Sequence, residues 1–89
     1  MSTLVAVFGT AVRQLREARG WSQEQLSEHA NLNRSYVGEI ERGQVIVSIV
    51  TVDKLARALG MNVAALLDHC EQIERLRRVQ SIKLAAIAC

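Results

Sequence analysis

Residues 21–43 of this chain read WSQEQLSEHANLNRSYVGEIERG. Two short helices joined by a tight connection account for the stretch. Ser22 and Gln25 have the spacing of a capping box, in which the serine hydroxyl accepts from the Gln25 amide and the Gln25 side chain reaches back. Leu26 and Ala30 are four apart and share one face. Asn31 tolerates the left-handed conformation that ends a helix. Asn33 is then placed to cap a second helix whose inward face is Val37 and Ile40, and Gly43 is its stop. The exposed polar and basic groups of the stretch fall mostly on this second helix.

Outward from this pair, the chain continues to read as helix. From Leu4 to Arg19 the apolar residues Leu4, Val5, Phe8, Val12 and Leu15 recur every three or four positions. Arg13, Arg16, Glu17 and Arg19 fall mostly elsewhere on the wheel, and Gly20 ends the helix after a basic last turn. Val45 to Val50 has the β-branched composition of a strand. Ser48, however, is a helix cap for Ile49–Leu59, with Val52, Leu55, Ala56 and Leu59 inward and Asp53, Lys54 and Arg57 outward. Gln44–Val47 is therefore read as a loop with exposed apolar residues, and Gly60 closes the fourth helix. Asn62 caps a short fifth helix, Val63 to about Asp68, with Val63, Leu66 and Leu67 inward. The expectation is an all-α fold, a compact five-helix domain over residues 8–68.

From His69 the character changes. Ile73, Leu76, Val79 and Ile82 recur at a spacing of three, interleaved with Arg75, Arg77 and Arg78. This reads as an amphipathic extension of the fifth helix over residues 69–89 and a candidate dimerisation segment. The apolar end, Ile82 to Cys89, is expected to be buried, most simply by a partner subunit.

The chain has 89 residues, a formal net charge of +2 and 49% hydrophobic residues. That balance argues against disorder and against general coating of polyanions; a nucleic-acid reader of this charge must focus it on one face. A core this small is marginal, and oligomerisation is a common remedy. Cys70 and Cys89 lack the spacing of a zinc site and read as incidental thiols in a reducing compartment. No apolar run spans a membrane, and the N-terminus is apolar before it is basic, the reverse of a signal peptide. A cytoplasmic protein is expected. His29 and His69 sit in no nucleophile or metal arrangement, so neither an enzyme, a metal nor a cofactor is expected. His29 is read as solvated.

A helix, a tight turn and a second helix rich in exposed polar groups match the helix-turn-helix, which lays its second helix in the major groove of DNA. Three motifs then carry a closer resemblance: LREARGWSQEQL over Leu15–Leu26, RSYVGEIERG over Arg34–Gly43 and TVDKLARALG over Thr51–Gly60. Together they resemble the lambda-repressor/Cro-like, or Xre-type, DNA-binding family from about Phe8 to Asp68. The resemblance implies a five-helix bundle, with the helix-turn-helix pair at about residues 22–42, that binds operator DNA as a two-fold dimer.

It also implies site residues. Gln23 falls where the family meets the phosphate backbone and the first base. Asn33, Arg34, Ser35 and Tyr36 occupy the N-terminal turn of the reading helix. Gly38 and Glu39 follow one turn on, on the same exposed side, and Arg42 suits a phosphate contact at the helix end. Arg34 offers guanine a bidentate fork, and Glu39 accepts from cytosine. Tyr36 is suited to packing on a thymine methyl or bonding a phosphate. Asn33 is either a reader or only a cap, because its side-chain oxygen does not easily serve both. Gly38 suggests close packing or close backbone approach. Arg16 and Glu41 match a pair that in the family ties the first helix to the third.

The loop Val45–Val47 departs from the family's polar loop, which points it toward a subunit contact. The leading expectation is a sequence-specific transcriptional regulator that binds a palindromic operator as a homodimer; a restriction-modification controller protein is one subtype. An antitoxin whose tail holds a protein partner, or an interaction module on the same fold, is the alternative.

Overall fold

The structure, a computed structural model, describes residues 3–88, with side chains described as far as Lys83. Five helices make up its regular secondary structure: α1 (Thr3–Ala18), α2 (Gln23–Ala30), α3 (Arg34–Glu41), α4 (Ile49–Ala58) and α5 (Val63–Ala88). The helix ends follow from local chemistry. Both halves of the capping box form, with the Gln25 amide donating to Ser22 Oγ at 3.1 Å and the Ser22 amide to Gln25 Oε1 at 2.8 Å. Asn31 ends α2 with φ 55°. Asn33 begins α3, its Oδ1 accepting from the Ser35 amide at 2.8 Å, and Gly43 leaves α3 with φ 69°. Ser48 caps α4 through the Thr51 amide, and Asn62 caps α5 through the Ala65 amide.

The core is shared by all five helices, with α1 packed on α3 and α5, α2 on α3 and α4, and α4 on α5. Its fully buried side chains include Val7, Val12, Leu26, Val37, Ile40, Leu55 and Leu66. In α1 the inward stripe is Val7, Phe8, Ala11 and Val12, while Leu4 is 57% exposed. Leu4 lies a turn before the core begins and sits on the rim of a shallow apolar groove with Phe8, Ile46, Val47 and Leu67. Leu67 likewise is 40% exposed rather than inward. The inward face of α5 runs Leu66, Cys70 and Ile73, a spacing of four then three that leaves Leu67 on its flank. The loop after α3 is half what was expected: Ile46 is 82% exposed, but Val45 and Val47 pack against the core. An extended segment alternates its side chains, so the outer two turn in together.

The larger difference is in α5. It does not stop near Asp68 but runs 26 residues. Ile73 still belongs to the core; beyond it Leu76, Val79 and Ile82 are exposed, and Arg77 Nη2 reaches back to Thr10 Oγ1 of α1 at 3.3 Å. Ile82, the first residue of the apolar end expected to be buried, is 69% exposed in the single chain, and the rest of that end from residue 84, with the thiol of Cys89, lies outside the described side chains. No described helix is long and apolar enough to cross a membrane.

Two further contacts hold the elements in place. Arg19 Nη2 donates to the Leu59 carbonyl at the end of α4, 2.7 Å away. His29 is not simply solvated: its ring stacks on Trp21 with centroids 4.1 Å apart and planes 9° from parallel. Arg19 approaches the Trp21 ring centroid at 5.1 Å.

At Gly9, α1 passes close against the backbone at the end of α3. A Cβ on Gly9 would collide with the Ile40 carbonyl oxygen and stand 2.8 Å from that of Glu41. Backbone, not a movable side chain, fills that space. Gly9→Ala is therefore expected to lower the unfolding free energy by about 2–3 kcal/mol, measured by urea denaturation, even though alanine is the better helix former.

Burial has a second measurable consequence at Cys70, whose thiol is pushed up to about 11 from an ordinary 9.0. The unfolded chain then releases this proton first, so stability present below pH 9 declines as pH rises toward 11. In denaturant titrations the decline should be shallower for Cys70→Ala, by at most about 3 kcal/mol at the top of that range.

Candidate nucleic-acid interface

The reading helix is held at its C-terminal end. Glu41, the last residue of α3, keeps a side chain only 2% exposed, and Arg16 of α1 is 13% exposed against it. Arg16 Nε donates to Glu41 Oε2 at 2.7 Å and Arg16 Nη2 to Glu41 Oε1 at 3.0 Å, a bidentate pair. Arg16 Nη1 also donates to the Trp21 carbonyl at 2.7 Å, and Gln23 Nε2 to Glu41 Oε1 at 3.1 Å. One carboxylate thus binds α1, the start of α2 and the end of α3 together. Its hydrogen bonds to Arg16 raise the arginine pKa further, against the opposing effect of burial, so the guanidinium stays charged.

At the other end of α3 the side chains are open. Arg34 and Ser35 are exposed. The ion pairs among the described residues use Arg13, Arg16 and Arg57, which leaves the fork of Arg34 uncommitted. Gln23, Arg34, Ser35, Gly38, Glu39 and Arg42 line one polar cleft. Six of the eight expected site residues therefore share a surface.

The other two differ. Asn33 is exposed, but its Oδ1 is taken by the cap on Ser35. Tyr36 is not a freely exposed aromatic: it is half-buried and packed against the core beside Val37. Its position on the helix turns its ring toward the flank of the domain. Gly38 is also not on an exposed side; it is buried beneath the side chains of Arg42 and Gln23, and Glu39 is half-buried. The cleft is formed by α3 and its C-cap Arg42, with Gln23 supplied by α2.

A neighbouring cleft holds Arg13, Arg16, Gln23, Glu41 and Arg42. With Glu41 neutralised by Arg16, Arg13 and Arg42 remain as two positive groups beside the N-terminus of α2, a combination suited to an anion. Arg13 was not singled out from the sequence. It pairs only with Glu17, at 3.2 Å and largely exposed, a contact of little energetic weight. Its spacing of three from Arg16 was the available signal, since that spacing puts both on one side of α1. Among the described residues no group of three His, Cys, Asp or Glu side chains gathers as a metal site would.

A family profile described as a helix-turn-helix domain matches residues 7–70. The chain belongs to this helix-turn-helix family of DNA-binding transcriptional regulators. The control protein C.BamHI of Bacillus amyloliquefaciens is 40% identical over 72 residues, covering 74% of this chain and 89% of that protein. The crystal structure of the restriction-modification controller protein C.AhdI from Aeromonas hydrophila is 48% identical. It covers 70% of this chain and 94% of its own, with a TM-score of 0.67. The clp gene regulator ClgR of Corynebacterium glutamicum is 29% identical, with a TM-score of 0.84 over 97% of this chain and 90% of its own. The ClgR likeness therefore takes in the long α5 of this helix-turn-helix regulator, whereas the C.AhdI likeness stops short of the whole chain.

The buried pair makes a sharp prediction. Arg16→Ala leaves the Glu41 carboxylate buried and without its principal partner, which should cost about 3–5 kcal/mol. Thermal melting should register the loss together with weaker DNA binding. Weakened binding at unchanged melting temperature would show that Arg16 serves DNA directly.

Proposed function

We propose that this helix-turn-helix regulator is a restriction-modification controller-type protein, acting in the cytoplasm, that binds a palindromic operator in double-stranded DNA as a homodimer. The observation that carries this reading is the uncommitted Arg34–Ser35 turn of α3, displayed on a helix whose other end is anchored by Arg16 and Glu41. An arginine fork can reach the O6 and N7 of guanine. Arg42, Arg13 and Gln23 flank that turn where a duplex would bring its phosphates. The likeness to C.BamHI and C.AhdI supports the controller subtype.

Dimerisation would use apolar groups that one chain leaves uncovered. Leu4, Ile46 and Leu67 are exposed around the groove between α1, the loop after α3, and α5, and Ile49 and Val50 at the start of α4 are exposed as well. Residues 69–89 would extend that contact. Two copies would then present their α3 helices to successive major grooves about 34–36 Å apart. The exposed Leu76, Val79 and Ile82 of α5 favour a second reading, in which this arm takes a protein partner as an antitoxin tail does.

Selection on random duplexes at low salt, with the complex mass measured in solution, tests the main reading. An enriched palindrome bound by two copies is expected, with affinity falling steeply as salt rises. Arg34→Ala should then relax preference at one base position by about 1–3 kcal/mol while leaving the melting temperature unchanged. Absence of any enriched duplex would refute the DNA-reading assignment.

A further inference from the structure

Gly38 sits in the middle of α3, yet its backbone is not what requires a glycine. The glycines with positive φ are Gly20, Gly43 and Gly60; Gly38 is helical. Glycine is a poor helix former, so a mid-helix glycine of ordinary conformation points to a demand for space. That space is occupied. A Cβ on residue 38 would stand 3.0 Å from Arg42 Nη1, 3.6 Å from Arg42 Cζ and 3.4 Å from Gln23 Oε1. The first of these is closer than a Cβ ordinarily comes to a nitrogen, whereas the other two are ordinary van der Waals contacts.

The guanidinium of Arg42 therefore lies back across the bare surface of α3 at Gly38, where the Gln23 side chain also approaches. Two other contacts define its course. Arg42 Nε donates to Gln44 Oε1 at 3.2 Å, and Gln23 is itself held by Glu41 at 3.1 Å. In this pose Arg42 lines both the cleft of Arg34 and Ser35 and the cleft of Arg13 and Arg16.

We propose, resting on the DNA-binding reading above, that Gly38 is a positioning residue whose missing side chain seats Arg42 between the two clefts. Arg42, Arg13 and the start of α2 then grip one backbone phosphate and set the register in which Arg34 meets its base. Gly38 itself touches no base; it acts through Arg42. Its substitution pushes Arg42 Nη1 out of this seat and weakens the phosphate contact.

Each phosphate contact adds about −0.9 to the slope of log affinity against log salt. Loss of one contact thus weakens binding roughly eightfold at 0.1 M salt, referred to 1 M, where the effect vanishes. The test is a double-mutant cycle on a selected operator duplex, with Gly38→Ala, Arg42→Ala and the double variant. It is run from 0.1 M to 1 M salt, well below every variant's melting temperature. Gly38→Ala should keep or raise the melting temperature, weaken binding by up to roughly that eightfold factor and flatten the slope by up to about 0.9. In the Arg42→Ala background it should do nothing further. A Gly38→Ala protein with the wild-type slope, or one whose loss persists without Arg42, would overturn the proposal. A wild-type protein that binds no duplex in a salt-dependent way would instead defeat the DNA reading on which it rests.

Discussion

The carboxylate of Glu41 is the point on which the reading surface depends. It is nearly buried, and it is satisfied by two nitrogens of Arg16 and one of Gln23. A charge so placed is tolerable only when its partners are correctly oriented. The arrangement therefore admits one relation between α1, the N-terminus of α2 and the C-terminus of α3. Gly9 adds the complementary constraint of distance, because the carbonyls of Ile40 and Glu41 lie where a larger residue would project. Together the ion pair sets the angle of α3 and the glycine sets its depth.

From that anchored end, function is distributed along α3 by exposure. Val37 and Ile40 are buried and hold the helix to the core; Arg34 and Ser35 face outward and are free to bind. Arg42 lies between, exposed but guided by Gly38, Gln23 and Gln44. The small net charge of the chain is compatible with a nucleic-acid partner because several of its arginines are focused on one face. Arg13, Arg34 and Arg42 converge on two adjoining clefts, and of the two carboxylates there, Glu39 and Glu41, the latter is paired with Arg16 within the fold.

The apolar surface follows a different logic. Leu4, Ile46 and Leu67 surround a groove that the single chain leaves open, and the arm of α5 carries Leu76, Val79 and Ile82 past the last core residue, Ile73. In so small a domain, covering such surface by association is a substantial source of stability. Association also doubles the number of reading helices, so the same surface would serve stability and recognition.

The sequence by itself determined the elements and their ends: the capping box at Ser22 and Gln25, the left-handed Asn31, the caps at Asn33, Ser48 and Asn62, and the inward faces of α3 and α4. These depend on neighbours within one turn, which local spacing records. Its motifs also carried the Arg16–Glu41 pair and the general position of the reading helix. Only the tertiary structure decided which of the exposed residues meet. Tyr36 turned into the flank of the core, Gly38 lay under Arg42 instead of in the open, and Arg13 joined the site from another helix. Leu4 lost its place in the core because it lies a turn before the core begins, Leu67 because it falls on the flank of the inward face of α5, and α5 continued past Asp68 because nothing in its backbone chemistry stops it. A helical wheel gives direction about one axis, whereas a site is made where several axes cross at a fixed distance. Here that distance and angle come from Gly9 and Glu41, contacts between residues far apart in the chain.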